Sequence, residues 1–241
     1  MLFRSASDAG ASQASLFRYD LSTGKLKLLS HAIGDTSAAL AGAYVSNSLT
    51  VSPDGRYVAF ALGTGTSSGG FSIPTLGGNP GHALFVTDTT TGNIRLVNSS
   101  YLSTTGTALS YASWADVGTK PRFFSGDGTK LIWQSDYLSY VGNGVTGGQY
   151  DDGVVLLNLA NGVQPAGTAM PNRLLSPSAT NPGSLSTGAN ATLVGVSKDG
   201  EFAYFTALNA AWFGNDGVAF TDAYPSVMDL FKVNLNTYRV E

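Results

Sequence analysis

The side chains able to do chemistry are few, and they gather in a small number of stretches. Asp151-Asp152 form one acidic pair, and Asn215-Asp216-Gly217 with Asp222 and Asp229 form a second group. Carboxylate oxygens are the hard ligands that Ca2+ takes, so Asp151, Asp152, Asp216 and Asp222 are the candidate metal ligands. No Asp-x-Asp-x-Asp-Gly loop accompanies them, and no other cofactor is implied. Aromatic rings lie in the same stretches. Tyr137, Tyr140, Tyr150, Trp212 and Phe213 offer either a stacking surface for a sugar or peptide, or rings that pin a loop onto its scaffold.

Other chemistry is excluded or weak. Gly65-Thr66-Ser67-Ser68-Gly69 has the spacing of a Gly-x-Ser-x-Gly nucleophile elbow. That motif needs a strand-to-helix turn; this segment is low in complexity and no helical pattern follows, so it reads as a surface loop. His31 and His82 have no metal-ligand spacing to one another and read as solvated loop residues. The absence of cysteine excludes a disulfide framework, a thiolate metal site and a cysteine nucleophile. No catalytic residue is assigned, and the chain reads as a non-enzyme.

Two interleaved repeats must position these groups. Ser52-Pro53-Asp54-Gly55-Arg56-Tyr57-Val58-Ala59-Phe60 recurs at Ser125–Trp133 and at Ser197–Phe205, with 73 and then 72 residues between equivalent serines. A near-constant period marks a repeat architecture. In each copy Asp-Gly precedes a run of β-branched and aromatic residues, a tight turn feeding a strand. The carboxylates Asp54, Asp127 and Asp199 therefore read as turn-formers. The second repeat is Leu16-Phe17-Arg18-Tyr19-Asp20-Leu21-Ser22-Thr23-Gly24, matched at Leu84–Gly92, Val154–Gly162 and Leu230–Tyr238. Asp20, Asp88, Asn158 and Asn234 each stand four residues before Gly24, Gly92, Gly162 and Tyr238, again a hairpin signal. The last copy has Tyr where the turn wants Gly.

Composition agrees with a turn-rich β protein. Apolar residues make up 43% of the 241, enough for a core. Charged residues make up 12%, so Ser, Thr, Asn and Gly must cover the surface. The net charge of −3 argues against a nucleic-acid surface, which wants a clustered basic face. No apolar run approaches the roughly 18 residues of a membrane span, and the first residues lack the apolar core of a signal peptide.

Labelling the strands of a unit A to D, the chain reads as a single region. It holds a partial unit over 1–30, units over 45–98 and 122–175, and a unit over 192–241 whose last strand is incomplete. In the third, strand D falls at Gln164–Thr168 or Arg173–Leu175. Ala38–Ala43 is the nearest approach to a helix. Repeated four-stranded units are the blades of a β-propeller, so the expected fold is an all-β, incomplete propeller of about three to four blades.

The pattern Ser-x-Asp-Gly-x-x-apolar-apolar-aromatic, followed by Leu-Phe-x-x-Asp-x-x-Thr-Gly, resembles the TolB-like, WD40-like (PD40) repeat of bacterial β-propellers over nearly the whole chain. The resemblance implies a secreted, periplasmic or cell-envelope protein and further blades or domains in a longer parent chain. It also implies either a binding scaffold or the propeller of a multidomain hydrolase of the prolyl-oligopeptidase type. The A–B and C–D turns are tight, whereas the B–C stretches (Ala61–His82, Gln134–Gly153, Thr206–Asp229) and the D–A stretches (such as Ser99–Pro121) are long. Long loops gathered at one end of a rigid scaffold are where binding is expected. The expected partner is a protein, peptide or glycan.

Overall fold

A computed structural model describes residues 2–6, 14–32, 34–39, 43–44, 49–64, 81–97, 122–137, 149–163, 172–175, 191–207 and 227–239. Among these the chain is all-β, with seventeen strands and no helix. The first sheet is β1 (Leu2–Ala6), β2 (Ala14–Tyr19) and β3 (Leu26–Leu28), in that order. A hairpin of β4 (His31–Ala32) and β5 (Asp35–Ala39) follows.

The second sheet has β8 (Tyr57–Thr64), β9 (Gly81–Asp88) and β10 (Ile94–Leu96). Its inner edge is made of two short pieces, β6 (Ala43–Tyr44) and β7 (Thr50–Val51), both paired with β8. The third runs β11 (Arg122–Phe124), β12 (Lys130–Tyr137), β13 (Gln149–Asn158), β14 (Asn172–Leu174). The fourth runs β15 (Ala191–Val196), β16 (Phe202–Ala207), β17 (Asp229–Asn234). Within each sheet the pairing described is antiparallel, between neighbours in sequence except for β6 with β8. Such meanders are propeller blades.

The period-2 alternation of a strand explains how the sheets stack. Leu131 and Trp133 of β12, with Val155 and Leu157 of β13, join one core with Tyr57, Ala59, Leu84 and Val86 of the second sheet. Ile132, Val154 and Leu156 lie in another core with Leu193, Ala203, Phe205, Phe231 and Val233 of the fourth. The third sheet is thus buried on both faces, and its strands read as continuous apolar runs rather than polar alternations. The fold is an arc of four such sheets packed face to face in series.

Several sequence expectations change. Ala38–Ala43 is not helical where described: Ala38 and Ala39 belong to β5, and Ala43 to β6. The β-branched Thr36 before it and the Asx turn at Asp35, whose Oδ1 accepts the Ser37 N–H (2.9 Å), favour the hairpin. Strand D of the third unit is Asn172–Leu174, which fits the second of its two candidate positions and not Gln164–Thr168. The strands β8, β9, β12 and β13 also run further into the long stretches than their apolar cores suggested, because ladder pairing continues through small and polar residues, as at Thr64↔Gly81 and Tyr137↔Gln149.

Neighbouring sheets meet through their A–B turns. Gly55, Gly128 and Gly200 share the turn and its positive φ, at 71°, 71° and 74°. A Cβ on Gly55 would meet nothing within 4 Å, whereas one on Gly200 would collide with the backbone of Gly126. Alanine at either site bears a left-handed cost of about 1–2 kcal/mol. Gly200→Ala is expected to cost at least about 1 kcal/mol more, from overpacking against backbone that cannot swing aside. Urea midpoints of the two variants measure the difference; equal midpoints would show that the sheets can separate at this contact freely.

Candidate functional site

At the short-turn end each A–B turn is built the same way. Ser52 Oγ donates to Asp54 Oδ1 (2.5 Å) and accepts the Tyr57 N–H (2.8 Å), while Asp54 Oδ1 also accepts the Arg56 N–H (3.0 Å). Ser125 and Asp127 repeat this with Lys130 N (3.0 Å) and Thr129 N (2.9 Å). Ser197 donates to Asp199 and accepts from Phe202 N (2.9 Å), and Asp199 accepts Glu201 N (3.0 Å). Hydrogen bonds to the ionised form hold the Asp54 and Asp199 carboxyls below their ordinary value. At Asp127 burial opposes the charge, but bonds from Ser125 and Thr129 outweigh it and bring the carboxyl to about 2.

The C–D turns beside them are Asx turns. Asp20 Oδ1 accepts Ser22 N (2.9 Å), Asp88 Oδ1 accepts Thr90 N (2.8 Å), Asn158 Oδ1 accepts Ala160 N (2.9 Å) and Asn234 Oδ1 accepts Asn236 N (2.9 Å). Asp88 also pairs with Arg56 through Nη2 (3.0 Å) and Nε (3.2 Å), which ties the two turns of one sheet together. Burial opposes its charge; the Arg56 bond and the Thr90 and Thr91 N–H groups still keep its carboxyl below the ordinary value. These carboxylates are occupied in holding turns. Among the described residues no group of three His, Cys, Asp or Glu could hold a metal.

The candidate binding residues lie toward the other end. Tyr137 is the last residue of β12, and Tyr150, Asp151 and Asp152 belong to β13, so the acidic pair sits on a strand rather than in the loop where the sequence reading put it. The ladder from Lys130↔Asn158 to Tyr137↔Gln149, with an irregularity between Ser135 and Tyr137, extends the hairpin over them. Tyr140, Trp212, Phe213, Asp216 and Asp222 lie outside the described residues, as does Gly65–Gly69. The structure therefore brings Tyr137 and the Tyr150-Asp151-Asp152 segment onto neighbouring strands and does not report on the rest.

The histidines are corrected. His31 is buried in β4, with Nδ1 2.8 Å from the Ala32 carbonyl oxygen and Nε2 without a hydrogen-bond partner. His82 lies on β9, paired with Gly63. His31 is therefore not the solvated loop residue its polar surroundings suggested, because it opens the β4–β5 hairpin, and His82 lies on a strand rather than in a loop, because β9 begins earlier than its apolar core.

Sequence reasoning also missed the polar side chains that cross between sheets. Lys27 Nζ donates to Thr89 O (2.8 Å), Tyr57 Oη to Leu159 O (3.1 Å), Asn172 Nδ2 to Val97 O (3.0 Å), and Gln134 Oε1 accepts Leu193 N (3.0 Å). Lys27 and Arg173 hold the same place on β3 and β14, and Arg173 stacks its guanidinium on Tyr238, 3.8 Å from the ring centroid. A basic residue recurring at the D-strand position was the available signal.

No protein-family model matches this sequence, and no curated protein does. Among solved structures the chain is similar to TolB from Acinetobacter baumannii, at 14% identity over 96% of this chain and 38% of that one, with a TM-score of 0.40. It is similar to the Kuenenia stuttgartiensis hydrazine synthase at 14% identity over 94% of this chain and 58% of that one, with a TM-score of 0.36. The Pyrococcus horikoshii acylaminoacyl peptidase follows at 10% identity, 96% and 31% coverage, and a TM-score of 0.31. The chain spans less than two thirds of each of these proteins.

The turn carboxylates couple stability to pH. Asp127 titrates at about 2 when folded against an ordinary 3.8. A depressed folded pKa gives stabilisation that is complete above the unfolded value and lost as pH falls through the folded one. Stability against urea is expected to drop between about pH 4 and pH 2, and Asp127→Asn to flatten part of that drop. A wild-type midpoint that does not move over this window would show that the turns do not depend on ionised carboxylates.

Proposed function

We propose that this chain is a non-catalytic interaction module that binds a protein, peptide or glycan through the long B–C and D–A segments, at the surface or in the envelope of the cell. The observation that carries this reading is the contrast between the two ends of the strands. At one end, every described A–B and C–D turn is closed by its own side chains, with its carboxylates engaged by hydroxyl and N–H donors. The other end receives the segments 65–80, 138–148 and 208–226, rich in Gly, Ser, Thr and aromatic residues. Rigid strands with closed turns form a scaffold, and variable segments on a scaffold are suited to recognition.

Tyr137 and Tyr150, on the adjoining strands β12 and β13, are the aromatic candidates that this reading places nearest the ligand. Asp151, Asp152, Asp216 and Asp222 remain the residues to which Ca2+ would be assigned. The envelope location rests on the resemblance of the repeat; among the described residues no helix is long and apolar enough to cross a membrane.

The last pair of the β8–β9 ladder is Thr64↔Gly81, so residues 65–80 are replaceable by Asn-Gly, the two-residue turn that such a ladder accepts. The shortened chain is expected to unfold within about 1 kcal/mol of wild type. It should lose the glycans or peptides that wild type selects from a glycan array and a displayed peptide library. Retention of those ligands would remove this segment from the site, and turnover of ester or peptide substrates by the chain would overturn the non-catalytic reading.

A further inference from the structure

Five Asp-Gly pairs occur in the sequence, and three of them close the A–B turns, at Asp54-Gly55, Asp127-Gly128 and Asp199-Gly200. Asp-Gly is a chemically weak linkage. Glycine has no side chain to hinder attack, so its backbone nitrogen can add to Cγ of the preceding Asp; the carboxyl OH leaves with the amide proton as water, and a succinimide ring forms. Water then opens the ring at either carbonyl. One opening restores Asp, and the other gives isoaspartate, in which the main chain runs through the former side-chain methylene. Cyclisation needs a protonated carboxyl, a Gly N–H that can give up its proton, and a carboxyl free to turn onto that nitrogen.

Each A–B turn opposes all three requirements. The Gly N–H donates to the serine carbonyl: Gly55 to Ser52 (2.8 Å), Gly128 to Ser125 (2.9 Å) and Gly200 to Ser197 (2.8 Å). The carboxylate is held on the serine hydroxyl and on the N–H two residues further along, so turning onto the Gly nitrogen costs both bonds. At Asp127 burial opposes the charge, yet bonds from Ser125 and Thr129 bring the carboxyl from 3.8 to about 2, which leaves about 60-fold fewer protonated groups at neutral pH. All three aspartates are exposed, so exclusion of water is not what protects them. Protection matters most at Asp199-Gly200, where Gly126 already leaves no room for a Cβ and a main chain longer by one methylene would push the third and fourth sheets apart. We propose that the serine of each Ser-x-Asp-Gly turn is a chemical guard as well as a structural one, blocking succinimide formation at the Asp-Gly bond on which the sheets stack.

The test is to hold the full chain for weeks at neutral pH and body temperature and to quantify isoaspartate at each site by peptide mass spectrometry with electron-transfer fragmentation. Position 127 is expected to convert at least about tenfold more slowly in the folded chain than in the same chain unfolded in guanidinium chloride. Ser197→Ala is expected to speed conversion at 199 by at least about threefold, the worth of one net hydrogen bond, and to leave positions 54 and 127 as they are. Those two sites report general loosening within the same molecule, which keeps a lost guard distinct from a lost fold. Ser197→Thr retains the hydroxyl and should retain the protection. Equal conversion in the folded and unfolded chains, an unchanged rate at 199 in Ser197→Ala, or an equal rise at all three sites would each overturn the guard.

Discussion

Backbone lies against backbone where the third and fourth sheets meet at their A–B turns: Gly200 has no room for a Cβ because Gly126 occupies it. The turn chemistry follows from that closeness. A turn that packs without side chains at its tip has few neighbours to pair with, so its polar atoms are satisfied from within even though the Asp54, Asp127 and Asp199 carboxylates stay exposed. Ser and Asp do this with three bonds, one hydroxyl donating to the carboxylate, one N–H ending on each. The same set recurs at Ser52-Asp54 and Ser125-Asp127, and a Cβ on Gly128 would come within 3.3 Å of the Asp54 carboxylate. The repeated Ser-x-Asp-Gly is therefore a device for stacking sheets closely at one end.

The outer turns solve the same problem with less strictness. Gly24, Gly92 and Gly162 take positive φ at the end of the C–D turn, and Tyr238 takes 60° at the same place. A left-handed Tyr costs about 1–2 kcal/mol. Its ring compensates by lying under the Arg173 guanidinium and against the core between the third and fourth sheets. The turn survives because Asn234 still accepts two N–H bonds, from Asn236 and Thr237. The Asx side chain is thus what every copy retains, and Gly is the replaceable part.

What the sequence disclosed divides along these lines. The strands that follow Asp-Gly or Asx turns were legible because turn and strand are local and repeat: β8, β12 and β16 each begin where the pattern puts them. The β4–β5 hairpin was not, since it belongs to no repeat and its alanines carry no strand preference. Strand ends were misjudged for a physical reason: ladder bonds involve backbone, so β13 continues through Tyr150-Asp151-Asp152 without needing apolar residues. His31 was misread because its burial comes from tertiary packing, which single-residue polarity does not encode. Of the candidate site, the residue types were legible, but bringing Tyr137 beside the 149–152 segment required the register.

That register also changes how the acidic pair should be viewed. A Ca2+ loop wraps its ion with carboxylates and backbone carbonyls from a turn of changing direction. A strand holds its backbone straight and commits much of it to the ladder, which here runs on both sides of Asp151-Asp152, at Gln149 and Gly153. The pair therefore lies on strand backbone rather than on a turn of that kind. An irregularity between Ser135 and Tyr137 lies directly opposite, and bulges beside a site re-aim the residues they flank. The closed Ser125–Asp127 turn at one end and the connection over 138–148 at the other are joined by these two strands, whose register fixes the spacing between the two ends.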